Sequence, residues 1–177
     1  AFILVFLVVF LFLQDFRSTI IPAIAVPVSI IGTFFFLGVF GFTINLLTLF
    51  AILLSIGIVV DDAIVVVEAI HAKLDEGYTS ALKASKDAMG EISGAIISIT
   101  LVMAAVFIPI SFIDGSAGVF FKQFGLTLAV AIIISAVNAL TLSPALCALL
   151  LKPKKKEEEE KTTVMKRFYG AFNAGFE

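Results

Sequence analysis

Two adjacent carboxylates, Asp61 and Asp62, sit in the run Gly57-Ile58-Val59-Val60-Asp61-Asp62-Ala63-Ile64-Val65-Val66-Val67-Glu68, within an apolar stretch from 44 to 70 long enough to cross a bilayer. Insertion scales put one charged Asp near mid-membrane at roughly 2.5 to 3.5 kcal/mol, so a chain that keeps two side by side has a use for them. Carboxylates at that depth bind and release protons or ions, and a neighbouring pair titrates as one coupled unit. The competing reading is a purely structural pair neutralised by a fixed cation. A static tie needs only one carboxylate, and no Lys or Arg lies within the apolar runs to serve as the cation.

Helical periodicity assigns faces to the pair. At about 100° per residue, Asp62 aligns with Thr48 and Ser55, whereas Asp61 falls near Gly57 and Glu68 on a separate stripe. Leu49, Ile56, Val60 and Val67 take the opposite side, which this pattern assigns to lipid, so both Asp stripes turn toward protein or a wet cavity. Gly57, Glu68 and Asn138 are supporting candidates. Gly57 suits close helix approach, Glu68 reaches toward interfacial water, and Asn138, in mid-span, suits interhelical hydrogen bonding better than a transport path. His71, the only histidine, fits a solvated surface position just past the span better than a relay. Lys122 lies where it can snorkel to an interface.

Composition requires a membrane setting for these elements. The 177 residues are 60% hydrophobic and 15% charged, with mean hydropathy +1.14, whereas soluble domains average about 25% charged. A net charge of -2 gives no sign of nucleic-acid binding, and the lone Cys147 supports neither a disulfide framework nor a thiolate metal site. No cofactor is implied; protons are the coupling ion that the Asp pair suggests.

The hydropathy pattern predicts an all-α polytopic bundle of about five spans, at 1–13, 20–40, 44–70, 94–112 and 124–151. The first reaches about 20 Å, short of the roughly 30 Å hydrocarbon core, and is expected to be a truncated span of a larger protein. It lacks the basic flank of a signal peptide. Pro27 is expected to kink the second span, Gly77 to cap the third, and Thr79 or Ser80 to start a short separate amphipathic helix ending near Met89. Residues 114–118 read as a loop. A charged linker at 152–163 leads to an amphipathic helix at 164–177, with Val164, Met165, Phe168, Tyr169, Phe172 and Phe176 on one face. The turn at 14–19, the loop at 71–93 and the tail hold eleven of the twelve Lys and Arg residues, which places them on the cytoplasmic side by the positive-inside rule.

Read in order, Phe42-Thr43-Ile44-Asn45, Gly57 to Glu68, Phe107-Ile108-Pro109-Ile110, Lys122-Gln123-Phe124 and Leu142-Ser143-Pro144-Ala145-Leu146-Cys147 make the chain resemble the resistance-nodulation-division superfamily. The likeness covers nearly the whole chain and is nearest to the hydrophobe and amphiphile efflux branch of the AcrB type. It implies helices two to six of a twelve-helix inner-membrane antiporter, a homotrimer working with a periplasmic adaptor and an outer-membrane channel. It also implies that Asp61 and Asp62 form half of a proton relay, whose basic partners come from the second helix repeat. Asn138, at a position expected to be aliphatic, and the Lys-Glu tail depart from the family pattern. The heavy-metal branch typically has one Asp here, so Asp62 argues against it. The alternatives are a metal-ion or lipid exporter of the same superfamily, or a non-transporting module such as a protein-export accessory subunit.

Overall fold

A computed structural model describes residues 2–13 and 15–152. The expected amphipathic helix at 164–177 and all but the first residue of the charged linker lie outside the described residues. Among the described residues six helices follow in order: α1 (Phe2–Leu13), α2 (Phe16–Val39), α3 (Leu46–Asp75), α4 (Ala81–Ile110), α5 (Ser116–Leu140) and α6 (Leu142–Leu150). Among the described residues there is no strand. Four segments are long and apolar enough to cross a membrane: α2, α3, α4 and the stretch Gly118–Leu150 through α5 and α6. With 12 residues, α1 is too short to cross alone.

Side-chain caps fix where the helices begin. Asp15 accepts the Ser18 backbone N–H at 2.9 Å and starts α2 four residues earlier than hydropathy suggests. Asn45 accepts from the backbone of Leu47 and Thr48, and Thr48 Oγ1 accepts from the Asn45 N–H at 2.9 Å, a reciprocal capping box that opens α3. Ser80 caps α4. Just past the end of α3, Gly77 takes φ +103°, the left-handed turn expected of a glycine after a helix.

Three expected boundaries are corrected. The short amphipathic helix and the fourth span are one 30-residue helix, α4. No proline separates them, and the buried residues Ala84, Ala88 and Ile96 keep helical spacing across Gly90 and Gly94, glycines that a helix supported on one face tolerates. The loop at 114–118 is shorter than expected, because α5 begins at Ser116. Gly118 makes this possible: a Cβ there would lie 1.9 Å from the Ile113 carbonyl oxygen. The fifth span divides at Thr141, whose φ and ψ of -124° and -64° leave the helical region. Pro144 lacks the N–H that an unbroken helix would bond to Leu140, and as the third residue of α6 it needs none. α2, by contrast, continues through both Pro22 and Pro27.

α3 is the central element, packed against α2, α4, α5 and α6. This corrects the face assigned to lipid. Val60 and Val67 are buried, Ile56 is half-buried, and only Leu49 of that set is exposed, because neighbouring helices cover the side opposite Asp61. Val66, Val67, Ile70 and Leu74 join Ile21, Ala84, Ala139 and Cys147 in one core toward the Tyr78 loop. Val59 and Val60 join Val9 and Val26 in a second, smaller core.

Candidate functional site

The two carboxylates have different surroundings. Asp62 is half-buried, and its Oδ2 accepts a hydrogen bond from Ser135 Oγ of α5 at 2.5 Å. Thr48 and Ser55, on the same stripe of α3, are buried, so Asp62 ends a polar stripe of that helix. Asp61 is exposed and lines an open cleft between α3 and α1, together with Glu68, His71 and Asp75. Among the described residues neither Asp pairs with a cation; the ion pairs found are Lys73 with Glu91 at 2.8 Å and with Glu76 at 3.4 Å, near the loop end of α3.

Two further hydrogen bonds join α5 to its neighbours. Asn138 donates to Ser29 Oγ of α2 at 2.7 Å, one helical turn from Ser135, which makes it the interhelical tie that its mid-span position suggests. Toward the opposite membrane face from the Tyr78 loop, Asn45 Nδ2 donates to Gln123 Oε1. Close approach of α5 to α4 depends on Gly125, where a Cβ would meet the Phe107 carbonyl oxygen at 2.9 Å. Gly57 has no such neighbour: a Cβ there meets nothing within 4 Å, and the residue is exposed one turn before Asp61.

His71 differs from the expected solvated surface residue. It is half-buried, with Nδ1 3.3 Å from Ser18 Oγ, and Ser18 also donates to Asp15 Oδ2 at 2.7 Å. The start of α2 is thereby joined to the last third of α3. In the adjoining loop, the Asp87 carboxylate beside the Tyr78 hydroxyl holds that phenol above its usual range, with a smaller contribution from partial desolvation.

The structure thus brings Asp61 and Glu68 to one cleft, turns Asp62 to α5 and Asn138 to α2, and leaves Gly57 open. Ser135 is the site residue that sequence reasoning missed. Its signal was present, since Ser135 and Asn138 are polar positions three apart in an otherwise apolar stretch, which places them on one helix face. Among the described residues no group of three His, Cys, Asp or Glu is arranged to hold a metal ion.

Residues 1–177 match the family described as AcrB/AcrD/AcrF. The chain is 47% identical over its full length to the toluene efflux pump membrane transporter TtgE of Pseudomonas putida and 47% identical to the multidrug export protein AcrF of Escherichia coli, covering 17% of each. It is 46% identical, over 97% of its length and 17% of the relative, to the multidrug resistance protein MdtF of Escherichia coli. The chain therefore spans about a sixth of the length of these curated relatives.

Proposed function

The chain belongs to the AcrB/AcrD/AcrF family, and on that premise we propose that it forms the Asp-bearing helix repeat of a proton-coupled exporter of hydrophobic and amphiphilic compounds. One observation carries the proposal: two adjacent carboxylates on the central apolar helix, one hydrogen-bonded into the bundle and the other lining a cleft with Glu68 and His71. The names of TtgE and AcrF, which refer to toluene efflux and multidrug export, support an apolar cargo. In this reading the chain serves a secondary transporter of the inner membrane and not an enzyme. The loops at 14–19 and 71–93 face the cytoplasm, and the coupling ion is the proton.

A basic side chain from the second helix repeat, absent from this chain, pairs with the ionised carboxylates. Proton uptake from the outer side neutralises the pair, frees that cation and lets the two repeats shift; release to the inside restores the pairing. One proton supplies about 1.4 kcal/mol per pH unit and about 2.3 kcal/mol per 100 mV, so one or two per cycle bias a change of a few kcal/mol. Ser135 holds the Asp62 carboxyl against α5, so a change in its protonation is transmitted to the α3–α5 contact. The assembly suited to this role is a homotrimer joined to a periplasmic adaptor and an outer-membrane channel.

The test is Asp61→Asn and, separately, Asp62→Asn in the full-length transporter. Asn keeps the volume and removes the titrating proton, so each variant is expected to lose proton-driven efflux at unchanged expression. Full drug resistance in either one refutes the role of that carboxylate.

A further inference from the structure

We propose that the junction between α5 and α6 binds one buried water molecule, held by Ser143 Oγ and bridging the Leu140 carbonyl to the first-turn N–H groups of α6. The inference rests on the fold and stands apart from the proposed proton site. Among the described residues two buried side-chain polar atoms have no hydrogen-bond partner, Ser85 Oγ and Ser143 Oγ. Hydroxyls elsewhere in the bundle bond back along their own helix: Thr33, Ser55, Ser93, Ser98, Thr100 and Thr127 each donate to a carbonyl three or four residues earlier. Ser85 has the carbonyls of Ala81 and Leu82 at that spacing in the same helix, one χ1 rotation away. Ser143 has no such recourse, since the residues four and three before it, Ala139 and Leu140, end α5 on the far side of the break at Thr141.

The break leaves backbone groups in the same condition. Thr141 departs from the helical region, and its own hydroxyl is committed to the Val137 carbonyl. The first backbone donor within α6 is the Ala145 N–H, which bonds to the Thr141 carbonyl at 3.3 Å. Ahead of it the N–H groups of Leu142 and Ser143 have no acceptor in α6, and Pro144 has no N–H to give the Leu140 carbonyl. No side chain caps α6. Backbone donors, a backbone acceptor and a hydroxyl that serves as either thus lie together between Leu140 and Ser143.

Burial and charge select the ligand. Ser143 and Cys147, one turn apart on α6, are both 0% exposed within this chain alone, so the site is closed whatever packs on the outside of the bundle. Cys147 shares a core with Ala84 and Ala88 of α4 and Ala139 of α5, small side chains that suit a water-sized ligand and exclude a larger one. α6 carries no charged residue and α5 none after Lys122, so an ion there would be uncompensated. Water both donates and accepts: it takes a bond from an α6 N–H and gives to the Leu140 carbonyl and Ser143 Oγ, and immobilising it costs less than leaving these groups unpaired. It supplies the bond that Pro144 cannot. The end of α5 is fixed in this way, and the turns just before it carry Asn138, bonded to Ser29, and Ser135, bonded to Asp62.

The test is an electron cryo-microscopy map of the full-length transporter at a resolution that shows ordered water, for the parent and for Ser143→Ala, with denaturant unfolding of both. The parent is expected to show a single peak within hydrogen-bond distance of Ser143 Oγ and the Leu140 carbonyl, and Ser143→Ala to lose it. The sign of the stability change is a separate readout. Removing a hydroxyl that has no partner relieves its burial and raises the unfolding midpoint, whereas removing one that holds a water strands the backbone groups and lowers the midpoint, which is the result expected here. A parent map without that peak, with Ser143 Oγ bonded directly to the Ala139 or Leu140 carbonyl, overturns the site, as does a Ser143→Ala midpoint at or above the parental value. A peak whose height follows the salt in the buffer assigns an ion and overturns the choice of ligand.

Discussion

Substitutions at Ser29 and Asn138 are expected to rescue one another. The Asn138 amide donates to Ser29 Oγ at 2.7 Å, with Ser29 buried between α2 and α5. Ser29→Ala leaves a half-buried amide N–H without its acceptor, and a stranded polar group costs about 1 to 3 kcal/mol. Asn138→Leu removes the amide itself and leaves a hydroxyl able to bond back to its own helix, a smaller loss of about 1 kcal/mol or less. The double variant replaces both partners with apolar groups and is expected to lose less than the sum of the two single losses. The coupling energy is then about 0.6 kcal/mol and at most about 1.7 kcal/mol, the range of interhelical hydrogen bonds in membranes. Denaturant unfolding of the full-length transporter in mixed micelles gives all four corners of the cycle. Losses that simply add refute the pairing, and loss of efflux in a double variant of parental stability refutes the assignment of Asn138 as a tie.

Three further outcomes follow from the packing. Gly118→Ala places a methyl carbon 1.9 Å from the Ile113 carbonyl, against a normal approach of about 3.3 Å, so a loss of more than about 3 kcal/mol in thermal or denaturant stability is expected. Ser135→Ala removes the donor to Asp62, a bond to a charged group worth about 1.5 to 3 kcal/mol, and transport rates are expected to fall about tenfold or more, while Ser135→Thr keeps most activity. Lys73→Met breaks ion pairs whose Glu partners are more than half exposed, so unfolding should change by less than about 1 kcal/mol, and by less still at high salt.

Features governed by local chemistry were legible in the sequence. Hydropathy marked the four long apolar segments that can cross a membrane, Gly77 and Ser80 marked a helix end and a helix start, and the Asp pair stood out because its cost in an apolar run is large. What the sequence hid depends on neighbours. Val60 and Val67 read as lipid-facing because periodicity reports the angle between residues and not which side the other helices occupy; α3 is central, so its far side is packed. α4 read as two helices because its exposed charges at Lys83, Lys86 and Asp87 resemble an interfacial segment, although no residue between 89 and 94 stops a helix. Gly118 and Gly125 were silent, since a glycine's role in close packing depends on a carbonyl from another segment. Ser135 and the Ser18–His71 bond were hidden for the same reason: each joins residues more than fifty positions apart.

The central claim is that Asp61 and Asp62 bind and release the coupling proton as one unit. Infrared difference titration of the carboxyl stretch in the full-length transporter tests it most directly. A pH-dependent carboxyl band is expected in the parent, with Asp61→Asn altering the midpoint of the band that remains and the Asp61→Asn/Asp62→Asn double variant abolishing it, since coupled acids do not titrate independently. A band that persists unchanged in the double variant would contradict the claim.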